Sequence, residues 1–415
     1  MTNQLTYLDF NEAVDKSLEL VTNTTLTEIV SLWDALNRVL SKEIVCIKNL
    51  PAFNNSAMDG FAVKFEDAGK TLTINKTIFA GDCGEAVKES LNSDECYKIM
   101  TGAKVPFDAD TIIPIEHCFD VTNTSVRVPE NIKKGSNLRL KGEEQQQGNV
   151  MFKAGEVLNS SHIILLASQG IMTVEVYKKL SIIIVSTGNE LKEPWQISND
   201  EEIYNCNSFG LIALLKQIGF DASYGGVIPD NLESSVSFIK SLKKYDVIIT
   251  TGGISMGEAD FVGEAFLKNG LEVIFHGVNV KPGRPIMMGS LDKTVVMCLP
   301  GNPLTAMINM HLFALPVLNK LQGSEYIYHD VVKATNTKEF KTKAGRVNLV
   351  LGNLIEGDFT VTRNNKYGSG MITALYESNS ILVTDNNTSS IDTQQEVFVV
   401  KFDNKLIKNR INIFN

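Results

Sequence analysis

The chain has no CxxC pair, no long apolar run and no excess of positive charge. Its six cysteines, Cys46, Cys83, Cys96, Cys118, Cys206 and Cys298, stand singly along 415 residues. That argues against a disulfide framework or a cysteine-rich zinc site and fits a reducing compartment. A formal net charge of -9 leaves no global field to draw nucleic acid or an anionic membrane, although a local basic pocket can still take a small anion. The opening MTNQLTYLDFNEA lacks the basic start and apolar core of a signal peptide, and apolar runs such as 181–185 are too short to span a bilayer. A soluble, cytoplasmic chain is expected. The patterns GxxxxGK[ST], GxGxxG and HExxH are also missing at the strand ends, which argues against an ordinary ATPase, a nicotinamide enzyme and a zinc protease. The five histidines, His117, His162, His276, His311 and His329, show no metal spacing and read as packed or surface groups.

What is present is ordinary globular stock, 43% hydrophobic and 21% charged, in a chain long enough for two to four domains. Residues 1–45 read as amphipathic helices, with Val14, Leu18 and Leu20 in one segment and Ile29, Leu32, Ala35, Leu36 and Leu40 in the next. Residues 46–145 change to short alternating runs separated by Gly, Asn and Asp, a β-rich domain with long polar loops. A helical signal returns around 152–170, with Gly170 as its stop. The β-rich part therefore reads as an insertion in a discontinuous helical domain of residues 1–45 plus 146–176. From 177 to 324 strands and helices alternate regularly, with a helix over 232–242 and another capped by Asn207 or Ser208; this is a doubly wound α/β domain. Residues 325–410 lose that rhythm. RVNLVLGNL, DFTVTRN, MITALYES, SILVTD and EVFVVKF alternate in period two, as in a small antiparallel barrel or sandwich.

Chemistry concentrates where strands of the α/β domain end in glycine-bearing turns. Ser186, Thr187 and Gly188, with Asn189 and Glu190 following, can hold a phosphate on backbone amides and hydroxyls, or can be a plain turn. Residues 250–257 hold three glycines and three hydroxyls, including Gly252, Gly253 and Ser255, so backbone can approach a ligand closely. Glu258 and Asp260 follow. Carboxylates beside an anion cradle repel the anion unless a divalent cation sits between, which points to magnesium; the alternative for Asp260 is a helix cap. Lys281 and Arg284 lie on a proline-stiffened turn suited to gripping an anion. Pro300, Gly301 and Asn302 lead into a helix whose first turn offers free N–H groups, or form a rigid joint. In the β-rich part the loops 51–60, 101–110 and 135–144 mix polar, charged and aromatic residues, and on chemistry alone each reads as a solvated face at least as well as a site.

The combination NNSAMDGFAV (54–63), TGAKVPFDAD (101–110), GSNLRLKGEE (135–144), STGNEL (186–191), TTGGISMGEAD (250–260), KPGRP (281–285) and LPGNP (299–303) resembles the MoeA family of molybdopterin molybdenumtransferases, whose relatives include the gephyrin E domain. Seven motifs in family order carry the resemblance, which covers nearly the whole chain. The resemblance implies a multidomain α/β protein: a split helical domain, an inserted β-rich domain, a doubly wound molybdopterin-binding domain and a C-terminal β-barrel. It implies a homodimer with its active site between subunits. The implied reaction is insertion of molybdate into adenylylated molybdopterin with release of AMP, dependent on Mg²⁺. Asp59, Thr101, Glu190, Asp260 and Lys281 would be catalytic. Glu190, Asp260 and Asp230 would hold the metal, while Ser186, Thr187, Gly188, Asp230, Gly252, Gly253, Ser255, Arg284, Pro300, Gly301, Asn302 and Arg139 would bind the cofactor. Partners would be the molybdopterin adenylyltransferase and recipient molybdoenzymes, with no nucleic acid or membrane. Two positions depart from the family's usual STGDEL and KPGKP: Asn189 removes a carboxylate, and Arg284 keeps the charge on a wider hydrogen-bonding fork. Tungstate as the preferred oxyanion and a non-catalytic scaffold are the alternatives.

Overall fold

The computed structural model describes residues 7–22, 24–82, 90–253 and 261–402. Cys83, Ser255, Glu258 and Asp260 lie outside the described residues. The chain forms two compact units, one of Lys42–Ala154 with Ser160–Met172 and one of Met1–Ser41, Gly155–Asn159 and Thr173–Asn415.

In the larger unit six strands make one sheet: β1 (Ile182–Ser186), β2 (Ala222–Val227), β3 (Val247–Thr251), β4 (Glu272–His276), β5 (Met287–Leu291) and β6 (Thr294–Leu299), in the order β2-β1-β3-β6-β5-β4. The first four in that order run parallel, while β5 pairs antiparallel with both neighbours. Strand periodicity sorts the core onto two faces. Ile182 and Ile184 join Val247, Ile249, Val295 and Met297 under the helices α1 (Asn207–Gln217) and α4 (Pro303–Asn309). Ile183 and Val185 join Ile248 and Val296 under α2 (Leu232–Leu242) and α3 (Phe261–Lys268). Burying each such side chain is worth about 1.5–3 kcal/mol. Helices on both faces and a reversal of strand order between β1 and β3 make this the expected doubly wound domain. Ligands of such sheets bind in the crevice outside the strand ends at that reversal.

The C-terminal barrel also forms. Val331–Asn336, Val347–Ile355, Asp358–Val361, Ser380–Val383 and Glu396–Lys401 close into a five-stranded ring, because Val347–Ile355 pairs with both Asp358–Val361 and Ser380–Val383. Ala334, Val350, Phe359, Leu382 and Val399 fill it. The smaller unit centres on a five-stranded sheet ordered Thr111–Pro114, Gly60–Val63, Glu95–Ile99, Thr71–Ile78 and Ser125–Arg127.

Several local expectations are corrected. The segment holding Ile29 and Leu32 is not a helix: Thr27–Ser31 pairs antiparallel with Thr173–Tyr177, and a single 3-10 turn follows at Leu32–Asp34. Its β-branched Thr27, Ile29 and Val30 suit a strand once a distant partner is available. MITALYES contains a short helix, Ile372–Tyr376, instead of a strand. The PIMMG stretch supplies β5, an unanticipated strand hairpinned to β6. Helix α1 starts at Asn207 with Cys206 at the cap position and no side-chain cap bond, so neither Asn207 nor Ser208 is the cap.

Candidate active site

A cavity of about 670 Å³ opens at the carboxyl ends of β1, β3 and β6. Thr187, Gly188, Glu190, Asp230, Gly252, Gly253, Gly301 and Asn302 line it. The two strand-end turns approach closely. Gly252 has φ +85° and a Cβ there would stand 2.6 Å from Thr187 Oγ1, so only glycine fits. The Gly252 amide donates to the Leu299 carbonyl at 3.0 Å; it is spent within the sheet end and cannot cradle a phosphate as expected. Ser186 is likewise fully buried, its hydroxyl 2.8 Å from that of Ser208 and 3.2 Å from Asn205 Oδ1. It braces the cavity floor from beneath.

Gly188 has φ +125°, and both Glu190 carboxylate oxygens lie 2.6 Å from where its Cβ would be. The missing side chain lets the carboxylate fold back over the turn. Asp230 accepts from the Asn189 amide, so the residue that departs from the family pattern orients a carboxylate instead of adding one. Neither Glu190 nor Asp230 forms an ion pair among the described residues. Their hard oxygens suit Mg²⁺, which characteristically takes one or two protein carboxylates and completes its shell with water and phosphate. No group of three or more His, Cys, Asp or Glu side chains is assembled for a metal among the described residues.

Lys281, Arg284 and Pro300 do not line this cavity. They line a second one of about 500 Å³ with Asn302, Arg346, Asn365, Tyr367 and Ser369. Lys281 sits in a two-residue strand that pairs in parallel with Val347 and Asn348 of the barrel, and Asn309 pins the turn by donating to the Gly283 carbonyl at 2.8 Å. The Nε atoms of Arg284 and Arg346 are buried without a partner, a costly state unless an anion accepts from them. The Arg284 guanidinium also stacks on Tyr7, 4.5 Å from the ring centre. At the rim, Arg363, Asn364 and Asn365 all have positive φ; such strain costs about 1–2 kcal/mol for an arginine, and Arg363 is held by a two-pronged pair to Glu377 at 2.8 and 2.6 Å. Asn302 is common to both cavities. Its loop is clamped on one side by Asn207, which donates to the Gly301 carbonyl at 2.7 Å, and on the other by Ser369, which accepts from Asn302 at 2.9 Å.

In the smaller unit the three singled-out loops converge. Asn55 and Ser56 pair with Arg139 and Leu138, the Asn54 side chain accepts from the Lys141 amide at 2.8 Å, and Gly102 donates to the Ser56 carbonyl at 2.8 Å. Asp59 Oδ1 accepts from both the hydroxyl and the amide of Thr101, each at 2.7 Å. The Thr101 hydroxyl, followed by its amide, holds the Asp59 carboxyl below the usual range; Asp59 is a fixed, ionised acceptor. Sequence reasoning missed Arg346, Asn205, Tyr367 and Ser369. Arg346 was legible only as the residue preceding a barrel strand, and Asn205 had no signal beyond its place between Tyr204 and Cys206.

A multidomain α/β protein with a polar crevice at its switch point and a cationic cleft beside a closed barrel is the class that fold and site define. The chain matches models of the MoeA N-terminal region (domain I and II) over residues 8–170, the "probable molybdopterin binding domain" over 183–320 and the MoeA C-terminal region (domain IV) over 333–402. It is 32% identical over 406 residues to the molybdopterin molybdenumtransferase of Haemophilus influenzae, covering 96% of this chain and 100% of that one. The Staphylococcus aureus (strain COL) molybdopterin molybdenumtransferase is 29% identical over 380 residues, with 89% and 90% covered. The crystal structure of the molybdopterin biosynthesis MoeA protein from Pyrococcus horikoshii OT3 superposes with a TM-score of 0.82 at 25% identity, covering 95% of this chain and 100% of that one. The chain belongs to the MoeA family of molybdopterin molybdenumtransferases.

Proposed function

We propose that this protein inserts molybdenum from molybdate into adenylylated molybdopterin and releases AMP, as the last step of molybdenum cofactor biosynthesis. The observation that carries this reading is the adjacency of a carboxylate-bearing crevice and a cation-lined cleft joined through Asn302. The substrate needs both: a phosphate-rich end bound with a cation, and a metal oxyanion held by positive charge.

Glu190 and Asp230, together with Asp260, would hold Mg²⁺, which when bound neutralises the pyrophosphate-like link and polarises it for attack. Thr187 and the amides around Gly188 and Gly253 would receive the phosphate. Lys281, Arg284 and Arg346 would hold molybdate. The unpartnered Nε groups of Arg284 and Arg346 gain an acceptor when it arrives, so binding relieves an existing cost. Asp59, kept ionised by Thr101, would accept a hydrogen bond from substrate and orient it, and Arg139, paired with Asn55, would bind an anionic group. Magnesium dependence, a cytoplasmic setting, assembly as a homodimer in which the Asp59 loop of one subunit serves the crevice of its partner, and contacts with the molybdopterin adenylyltransferase and recipient molybdoenzymes complete the proposal. No described helix is long and apolar enough to cross a membrane.

The deciding experiment incubates the purified protein with adenylylated molybdopterin and Mg²⁺, adds molybdate or tungstate, and measures AMP. Molybdate-triggered release is expected. Release with tungstate alone would make the protein a tungstate insertase, and release with neither oxyanion would leave a molybdopterin-binding scaffold.

A further inference from the structure

One wall of the first cavity is an arm, residues 190–206, whose two short strands Leu191–Lys192 and Ile203–Tyr204 run parallel. Glu190 stands at its start, and Ile203, Tyr204 and Asn205 also face the cavity. Bonds such as Ile203 N–H to the Glu190 carbonyl (2.9 Å) and Asn205 N–H to the Lys192 carbonyl (2.8 Å) are internal to the arm. They shape it without tying it to the sheet.

A tie is supplied by side chains. The Tyr224 hydroxyl, on β2, donates to Glu193 of the arm and accepts from Asn205 Nδ2 at 2.9 Å. Asn205 Oδ1 in turn accepts from Ser186 Oγ at 3.2 Å and from the Ser208 amide at 3.3 Å. Asn205 is 2% exposed and Ser186 fully buried, so every link nearest the sheet is dry, where hydrogen bonds reinforce one another. Donors and acceptors alternate without conflict from the end of β1 to the middle of the arm. The Phe209 ring lies between Tyr224 and the exposed Trp195 of the arm, with centroids 6.2 Å from each.

We infer that Tyr224 is a positioning residue for this site: by bridging Glu193 and Asn205 it fixes the 190–206 arm, and with it Glu190, in the place that substrate requires. The inference rests on the reading of this cavity as the catalytic crevice. It assigns no chemistry to the phenol, which burial, then the Glu193 carboxylate, keeps protonated far above neutrality. Its contribution is to spare the substrate the cost of ordering the wall against which it binds.

The test compares Tyr224→Phe, Glu193→Ala and Glu193→Gln with the wild type. Tyr224→Phe strands a buried amide and a carboxylate at once, and should raise KM for adenylylated molybdopterin about tenfold while kcat stays within about twofold. Hydrogen exchange should quicken for arm amides 191–204 and not for β1 or β3. Glu193→Ala should reproduce both effects at the half-buried arm end of the tie, and Glu193→Gln, which keeps an acceptor, should rescue them. Wild-type KM and wild-type arm exchange in Tyr224→Phe and Glu193→Ala would overturn the inference, as would equal defects in the two Glu193 variants. A wild-type protein that releases no AMP would sink the catalytic reading instead, and arm exchange would still decide whether the tie exists.

Discussion

The two cavities of the larger unit lie beside one another and are built on opposite plans. The crevice at the ends of β1 and β3 gathers carboxylates on glycine turns, with Glu190 folded over Gly188 and Asp230 held by Asn189. The cleft next to it gathers cations on proline-stiffened and barrel-borne segments, with two arginine Nε atoms left without partners. Carboxylates thus line one cavity and cations the other. The first suits a cation and the second an anion, because a charge in a pocket is stabilised by an opposite one. One protein surface can then hold a metal-bound phosphate and a metal oxyanion side by side without either displacing the other.

Removing one partner from each side should give different kinetic signatures. The largest effect is expected from Glu190→Gln, which keeps shape and hydrogen bonding but removes a charge. Loss of the cation's contribution should lower kcat by about 10³-fold, with Mg²⁺ response flattened and the KM for molybdate little changed. Titrating AMP release against Mg²⁺ and molybdate in turn checks both. Equal sensitivity to the two would mean that the cavities are not separate in function. Lys281→Ala should do the converse. One lost charge-assisted bond should raise the KM for molybdate about 30-fold, and the Mg²⁺ dependence should stay as in the wild type. A Lys281→Ala protein that saturates normally with molybdate would remove the cleft from the reaction.

The two plans were unequally legible in the sequence. The crevice was visible because its residues cluster in short glycine-rich turns after apolar strands, and the helix over Leu232–Leu242 was readable from the alternation of elements; its Asn231 cap, which accepts from the Ser234 amide at 2.9 Å, went unread. The cleft was half visible. Lys281 and Arg284 stood out on KPGRP, but Arg346 comes from 62 residues further along and arrives only through barrel closure, which no local pattern encodes. The same non-locality misassigned Thr27–Ser31, whose strand exists because Thr173–Tyr177 is there to pair with it. Glu190 was read as a candidate from its turn and does line the crevice, while the bonds that join its arm to Tyr224 and Ser186 through Glu193 and Asn205 were illegible, because hydrogen-bond partners in a floor are chosen in three dimensions. Ser186 shows the opposite error. A hydroxyl at a strand end reads as a ligand group, and here packing turns it inward.

Asn302 is where the comparison can be sharpened most finely. It lines both cavities and its amide donates to Ser369 at 2.9 Å, joining the loop before α4 to the barrel rim. The bond is exposed to solvent, so Asn302→Ala should cost little, about threefold in kcat/KM. The informative quantity is how that small loss is distributed. If the two cavities form one continuous reaction path, the Mg²⁺ response and the KM for molybdate should shift together, because a displaced loop moves the boundary of both. If only one shifts, Asn302 is a wall of that cavity alone. The substrate would then have to reach from crevice to cleft by its own length, without guidance from the protein between them.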